Sequence, residues 1–163
     1  MKKTAVLMLV ALLLSGCGNG AEQTMETIAD EWEIPVMAAP RQTSLELPGE
    51  ALECAMESDS GRMYYGDCYE VMVTTRPAGD LNATLEDVTG FSREDLTVMQ
   101  TQSGTPERWE FAWVSAGENG ERLGRGVILD DGDYHYCLSV LQDADVQDCQ
   151  VVWSEVFRSF ELA

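Results

Sequence analysis

The chain is expected to fold as an α+β domain: an antiparallel β-sheet with a long C-terminal amphipathic helix packed on it and one or two short helices. Three observations predict this. Runs rich in Val, Tyr, Trp and Thr recur between turn signals, from Ser44 to Leu141. Asp80 to Gly90 holds Leu81, Leu85 and Val88 on one helical face, behind a capping Asp80 or Asn82. Val146, Cys149, Val152, Trp153, Val156, Phe157 and Phe160 then form one apolar stripe, with Asp143 or Asp145 as cap. A stripe of that kind is buried most simply by laying it across a sheet.

Taken in order, Ser44 to Leu47 reads as a short strand ended by Pro48 and Gly49. Ala51 to Glu57 and Met63 to Thr75 read as a hairpin around Ser58-Asp59-Ser60-Gly61. After the helix at Asp80 to Gly90, Ser92 to Asp95 suggests a single turn. Four strands follow: Leu96 to Thr101, Arg108 to Ser115, Arg122 to Leu129 and Tyr134 to Leu141. The turn signals SGTP, GENG and DDGD separate them, and Asn119-Gly120 is a hairpin signal.

The start of the chain, MKKTAVLMLVALLLSGC, has a charged segment at Lys2 and Lys3, an apolar run from Ala5 to Leu14, and small residues before Cys17. This is the pattern of a secretory signal with a processing site. The apolar run is short of the roughly 20 residues needed to span a bilayer. Leu14-Ser15-Gly16-Cys17 resembles the lipobox of bacterial lipoproteins. The resemblance implies cleavage before Cys17 and a diacylglycerol on its thiol, placing the protein at the cell membrane, lipid-anchored and facing outside the cytoplasm. Residues 1–16 are then a signal peptide, 17–42 a tether, and 43–163 one globular domain. Within the tether, Met25, Ile28, Ala29 and Trp32 keep helical spacing, giving either a short helix at 24–33 that docks on the domain or a stalk.

Both lysines of the chain lie in the signal, so the mature part carries 10 − 2 = 8 Arg against 29 acidic residues, a formal charge of −21. Such a surface repels nucleic acid and anionic head groups. It suits a basic partner, although dispersed acids also serve plain solubility. Cys54, Cys68, Cys137 and Cys149 remain after Cys17, and an even number in an exported chain favours disulfides. A three-residue loop at Ser60 to Arg62 would set Cys54 opposite Cys68. Cys137 to Cys149 would tie the last strand to the last helix, yet Cys137 falls on the opposite strand face from Tyr136, Leu138 and Val140; free thiols are the alternative.

The ending YHYCLSVLQDADVQDCQVVWSEVFRSFELA, a strand, a short loop, an amphipathic helix and a closing Ser159-Phe160-Glu161-Leu162, resembles the C-terminal unit of the PsbP-like α/β/α sandwich. The resemblance covers roughly the last thirty residues closely. It implies an accessory or binding domain and assigns no functional residue.

The chemistry of the residues points the same way. His135 is the single histidine and lies within a strand, so it reads as a plain structural residue. Asp130-Asp131-Gly132-Asp133 offers carboxylates, but the calcium loop pattern is absent and a hairpin turn explains it. Glu53, Glu57, Asp67 and Glu70 show no spacing that marks a catalytic pair. Trp109, Phe111 and Trp113 alternate on one strand face, either as core against the C-terminal helix or as a stacking platform; Tyr64, Tyr65 and Tyr69 pose the same choice. No catalytic residue, metal ligand or cofactor is assigned. The expected function is a membrane-anchored, non-enzymatic protein-interaction domain facing an envelope protein with a basic surface. The alternative is a small-ligand or calcium-binding module.

Overall fold

The computed structural model describes residues 37–47, 54–66, 69–117, 120–144 and 149–163, without the side chains of 98–99 and 149–152. The backbone divides into two units, and only the second, Ala38–Ala163, is described beyond Met37.

That unit is dominated by a seven-stranded antiparallel sheet, ordered β2-β3-β4-β8-β7-β6-β5. The strands are β2 (Cys54–Ser58), β3 (Gly61–Tyr65), β4 (Tyr69–Pro77), β5 (Thr97–Gln102), β6 (Glu107–Gly117), β7 (Gly120–Asp130) and β8 (Tyr134–Asp143). Two meanders, β2 to β4 and β5 to β8, meet where β4 pairs with β8. The stretch expected as one strand from Met63 to Thr75 is two, β3 and β4, paired from Gly61↔Thr74 to Tyr65↔Glu70.

Helix α1 (Leu81–Thr89) lies on the crossover from β4 to β5. Asp80 caps it by accepting from the Asn82 N–H at 3.0 Å, satisfying one of the open donors of the first turn. Gly90 ends it at φ 77°, a left-handed conformation that costs glycine little, with its N–H on the Glu86 carbonyl at 2.7 Å.

The expected fold class, a PsbP-like sandwich built around a long C-terminal helix, is overturned. Among the described residues the chain is mainly antiparallel sheet with two short helices, and the second, α2 (Cys149–Ser159), has 11 residues. At about 1.5 Å per residue it is only some 16 Å long. Its end is fixed by side chains that take up the open carbonyls: Ser159 Oγ donates to Val156 O at 2.9 Å, and Arg108 donates to Phe157 O and to Phe160 O. The chain then leaves as β9 (Glu161–Leu162), pairing with β1 (Thr43–Ser44).

Directly opposed residues share a sheet face, so the register sorts the core into two layers. One face gathers Val71, Val73, Val127, Leu129, Tyr136, Leu138 and Val140 with Trp153, Val156, Phe157 and Phe160. The other gathers Phe111, Trp113, Ile128 and Cys137 with Leu85 of α1. The aromatic row of β6 is therefore core, as the first of the two readings held, but against α1 and not against the C-terminal helix. Phe111 and Trp113 stack at 5.9 Å and lie over Gly126 and Gly124, where a Cβ would meet their rings.

Candidate binding site on the helix face of the sheet

β5 is shorter than its neighbour. It pairs with β6 from Thr97↔Ala112 to Gln102↔Arg108, so Trp113 to Gly117 have no partner on that side among the described residues. Beside this uncovered stretch a cavity of about 770 Å³ is lined by Ala112, Val114, Leu123, Val140, Trp153 and Phe157, with Phe91 and Asp95 also at its wall. Val114 stands 51% exposed there.

Arg125 is the cation of this wall. Its guanidinium carbon lies 4.7 Å from the centre of the Phe157 ring, and Nη2 is 3.7 Å from Glu110 Oε2. Its Nε is buried with no hydrogen-bond partner. Arg125 and Phe157 also line a second cavity of about 440 Å³, whose other residues include Gln100, Gln102, Arg108, Arg158 and Glu161. Glu110 sits between two arginines, accepting from Arg108 Nε at 2.9 Å. An apolar chamber thus adjoins a polar one, with Arg125 at the boundary.

No protein family and no curated protein matches the chain by sequence. Among solved structures it is similar to a crystal structure from Bacteroides thetaiotaomicron VPI-5482, at TM-score 0.50 and 10% identity over 74% of this chain. The chain spans 45% of that structure's length. The likeness is one of fold alone.

His135 is 1% exposed and bridges Thr84 Oγ1 at 2.8 Å and Asp130 Oδ2 at 3.4 Å. The order hydroxyl, imidazole, carboxylate is that of a hydrolytic triad. Thr84 is itself buried at 4%, so no substrate reaches the hydroxyl, and the set works as a polar pin between α1 and β8.

The acidic turn spends its carboxylates on its own backbone. Asp130 Oδ1 accepts from the Gly132 N–H at 2.8 Å, and Asp131 Oδ1 accepts from Asp133 and Tyr134 at 3.1 and 2.8 Å. Asp131 Oδ2 accepts from Tyr136 OH at 2.9 Å, and that hydroxyl accepts from the Arg41 N–H. Burial raises the Asp131 pKa, but these hydrogen bonds and the Arg41 charge outweigh it and hold the carboxyl below its usual range. Burial and the adjacent carboxylate push Tyr136 up. Among the described residues no three His, Cys, Asp or Glu side chains gather as a metal site.

Cys17, Cys68 and the side chain of Cys149 lie outside the described residues. Cys54 and Cys137 are free thiols. The register sets Cys54 opposite Tyr64, replacing the loop that would have set it opposite Cys68. Cys54 and Cys137 are also three strands apart, about 14 Å, too far for a bridge between them. The Cys137 thiol is buried in the α1-side layer, which pushes its pKa up to about 11. Glu70 and Asp143 are both held by Arg122, at 3.1 and 3.4 Å, and Glu57 opposes Arg62, while Glu53 and Asp67 are not described. Tyr69 packs edge-on against Trp153 at 4.7 Å, and Tyr64 flanks the same core, while Tyr65 is exposed.

The sequence reading passed over Arg108 and Arg125. The signal was there in Arg125, Val127 and Leu129, which share strand parity: a cation on a face otherwise committed to core needs a reason.

Proposed function

We propose that this protein is a lipid-anchored, extracytoplasmic docking module, held at the membrane through Cys17 and acting without catalysis. The observation that supports it is the edge of β6 from Trp113 to Gly117, uncovered among the described residues, with exposed Val114 beside an apolar cavity. Unpaired N–H and C=O groups on a sheet edge accept an added strand, and neighbouring pockets select its side chains. The fitting partner is an extended, basic segment of an envelope protein, drawn in by the charge of −21 on the mature chain. Two acyl chains give stable anchoring, and tethering raises the effective concentration of a neighbour enough for weak contacts to count.

The test is a photo-crosslinking residue at Val114 in the native envelope, with a control at Glu155, exposed on α2. One reproducible adduct at Val114, absent at Glu155, is expected. Equal capture at both positions, or none, refutes the edge. Mass spectrometry should find a diacylglyceryl group on Cys17, and Cys17→Ser should release the domain. An unmodified Cys17 in a chain cut after Gly16 refutes the anchor.

A second reading, a small-ligand module, is favoured by the cavity itself. Its volume falls in the range of ligand pockets and its wall is mostly apolar.

A further inference from the structure

We propose that the two adjoining cavities bind a monoanionic amphiphile, its apolar body lying between sheet and α2 and its carboxylate held by Arg125. The proposal rests on the small-ligand reading and uses the cavity, not the unpaired backbone of β6 on which strand docking rests. On the α2 side the first chamber offers Val114, Leu123, Val140, Trp153 and Phe157, and Trp113 reaches its wall from the α1 side round the open edge of β6, a lining that gains from displacing water with hydrocarbon.

Charge chooses the head group. The mature chain has 8 arginines, and three of them, Arg108, Arg125 and Arg158, converge on the second chamber against Glu110 and Glu161. One positive charge is left over in the second chamber, while the acid at the wall of the first, Asp95, is exposed and accepts from Ser92 Oγ. Arg108 is committed to Glu110 and to the carbonyls ending α2. Arg158 is exposed and makes no ion pair among the described residues. Arg125 has only the 3.7 Å contact to Glu110, and its stacking on Phe157 fixes the guanidinium at the seam between the chambers. A carboxylate there gains charge-assisted hydrogen bonds while its chain runs into the apolar side. Repulsion from the remaining acids is screened beyond about 8 Å at physiological salt. A cationic head would meet the surplus of arginine, and a dianion would exceed the single charge available.

The occupant is a dispersed monomer, and the probe is dodecanoate below its micelle concentration. Dodecyltrimethylammonium, the same chain with the opposite charge, is the control. The mature Cys17→Ser chain, residues 17–163, which lacks the apolar signal and the acyl chains, is titrated while tryptophan emission is followed, since Trp113 and Trp153 line the site. Saturable binding of one dodecanoate is expected, at least about tenfold tighter than the ammonium. Arg125→Gln should weaken dodecanoate by about tenfold and remove most of that preference. Val114→Glu, at an exposed position that leaves the core intact, should weaken dodecanoate and strengthen the ammonium. Equal affinity for the two heads, no saturable binding, or indifference of dodecanoate to Val114→Glu overturns the proposal. Displacement of dodecanoate by anionic phospholipid vesicles beyond that given by zwitterionic vesicles of equal lipid content, which also take up free dodecanoate, overturns the assignment of the source.

Discussion

Gly126→Ala tests the close packing of β7 under the β6 aromatic row. A Cβ at Gly126 would stand 2.6 Å from Phe111 Cζ, 2.7 Å from Cε2 and 3.3 Å from the Leu138 carbonyl oxygen. Carbon atoms pack best at about 3.5–4.0 Å, so the ring must retreat by about 1 Å. Phe111 is 1% exposed and enclosed by Trp113, Leu85, Ile128 and Cys137, which leaves it no free direction. Overpacking of this kind costs about 1–3 kcal/mol. Replacing glycine at an ordinary φ recovers about 0.4–1 kcal/mol through the unfolded chain. The net expectation is a loss of about 1–2 kcal/mol, read as a lower urea midpoint at unchanged slope and a melting temperature down by about 3–8 °C. Phe111→Leu removes the two offending ring atoms. On that background Gly126→Ala should be neutral or stabilising, a coupling of at least about 1 kcal/mol. Additivity of the two changes within about 0.5 kcal/mol would refute the reasoning.

Thr84→Val leaves His135 Nδ1 buried without its 2.8 Å partner, and should cost about 1–3 kcal/mol in urea unfolding. Arg108→Met strips Glu110 of its nearest cation and α2 of two C-terminal donors; chemical denaturation should show a loss of about 2–3 kcal/mol, and an unchanged midpoint would refute it. Asp131 has a depressed pKa, so its contribution is present above the ordinary carboxyl value of 3.8 and is lost as pH falls through the folded value. Asp131→Asn should therefore flatten the fall in stability between pH 5 and pH 3, on the order of the unfolded carboxylate range. Cys137, raised from 9.0 to about 11, works in the other direction: its contribution is complete below 9 and lost as pH rises toward 11. Cys137→Ala should reduce alkaline destabilisation by about 1 kcal/mol at about pH 10, measured as the difference in melting between the two proteins.

How far the fold could be read from the residues depended on whether the signal was local. α1 was legible because Asp80 and Gly90 are caps whose roles depend only on neighbouring backbone. β6, β7 and β8 were legible because turn residues punctuate long apolar alternations. β3 and β4 were read as one strand because Gly66 and Asp67 break a run whose side chains otherwise continue without a change in character. The side chosen by Trp109, Phe111 and Trp113 was not legible, since alternation says which residues share a face but not which helix covers it. The end of the last helix was legible to within one residue of its apolar stripe, at Ser159 against Phe160, but not what fixes it there, since Arg108 reaches its carbonyls from a strand some fifty positions away. The cavity escaped for a related reason: it exists because β5 is shorter than β6, a mismatch between two strands that neither sequence displays alone.

The pairing of β1 with β9 bears on the order in which the protein can be made. Thr43 meets Leu162, Arg41 reaches the Ala163 carbonyl across 122 positions, and Phe160, fully enclosed, completes the layer beneath α2. Contacts so distant along the chain form late, since the loop between them must close first. The layer beneath α2 therefore cannot close until residues 160–162 have reached β1. Residues 160–162 therefore act as a timer on the closing of this layer.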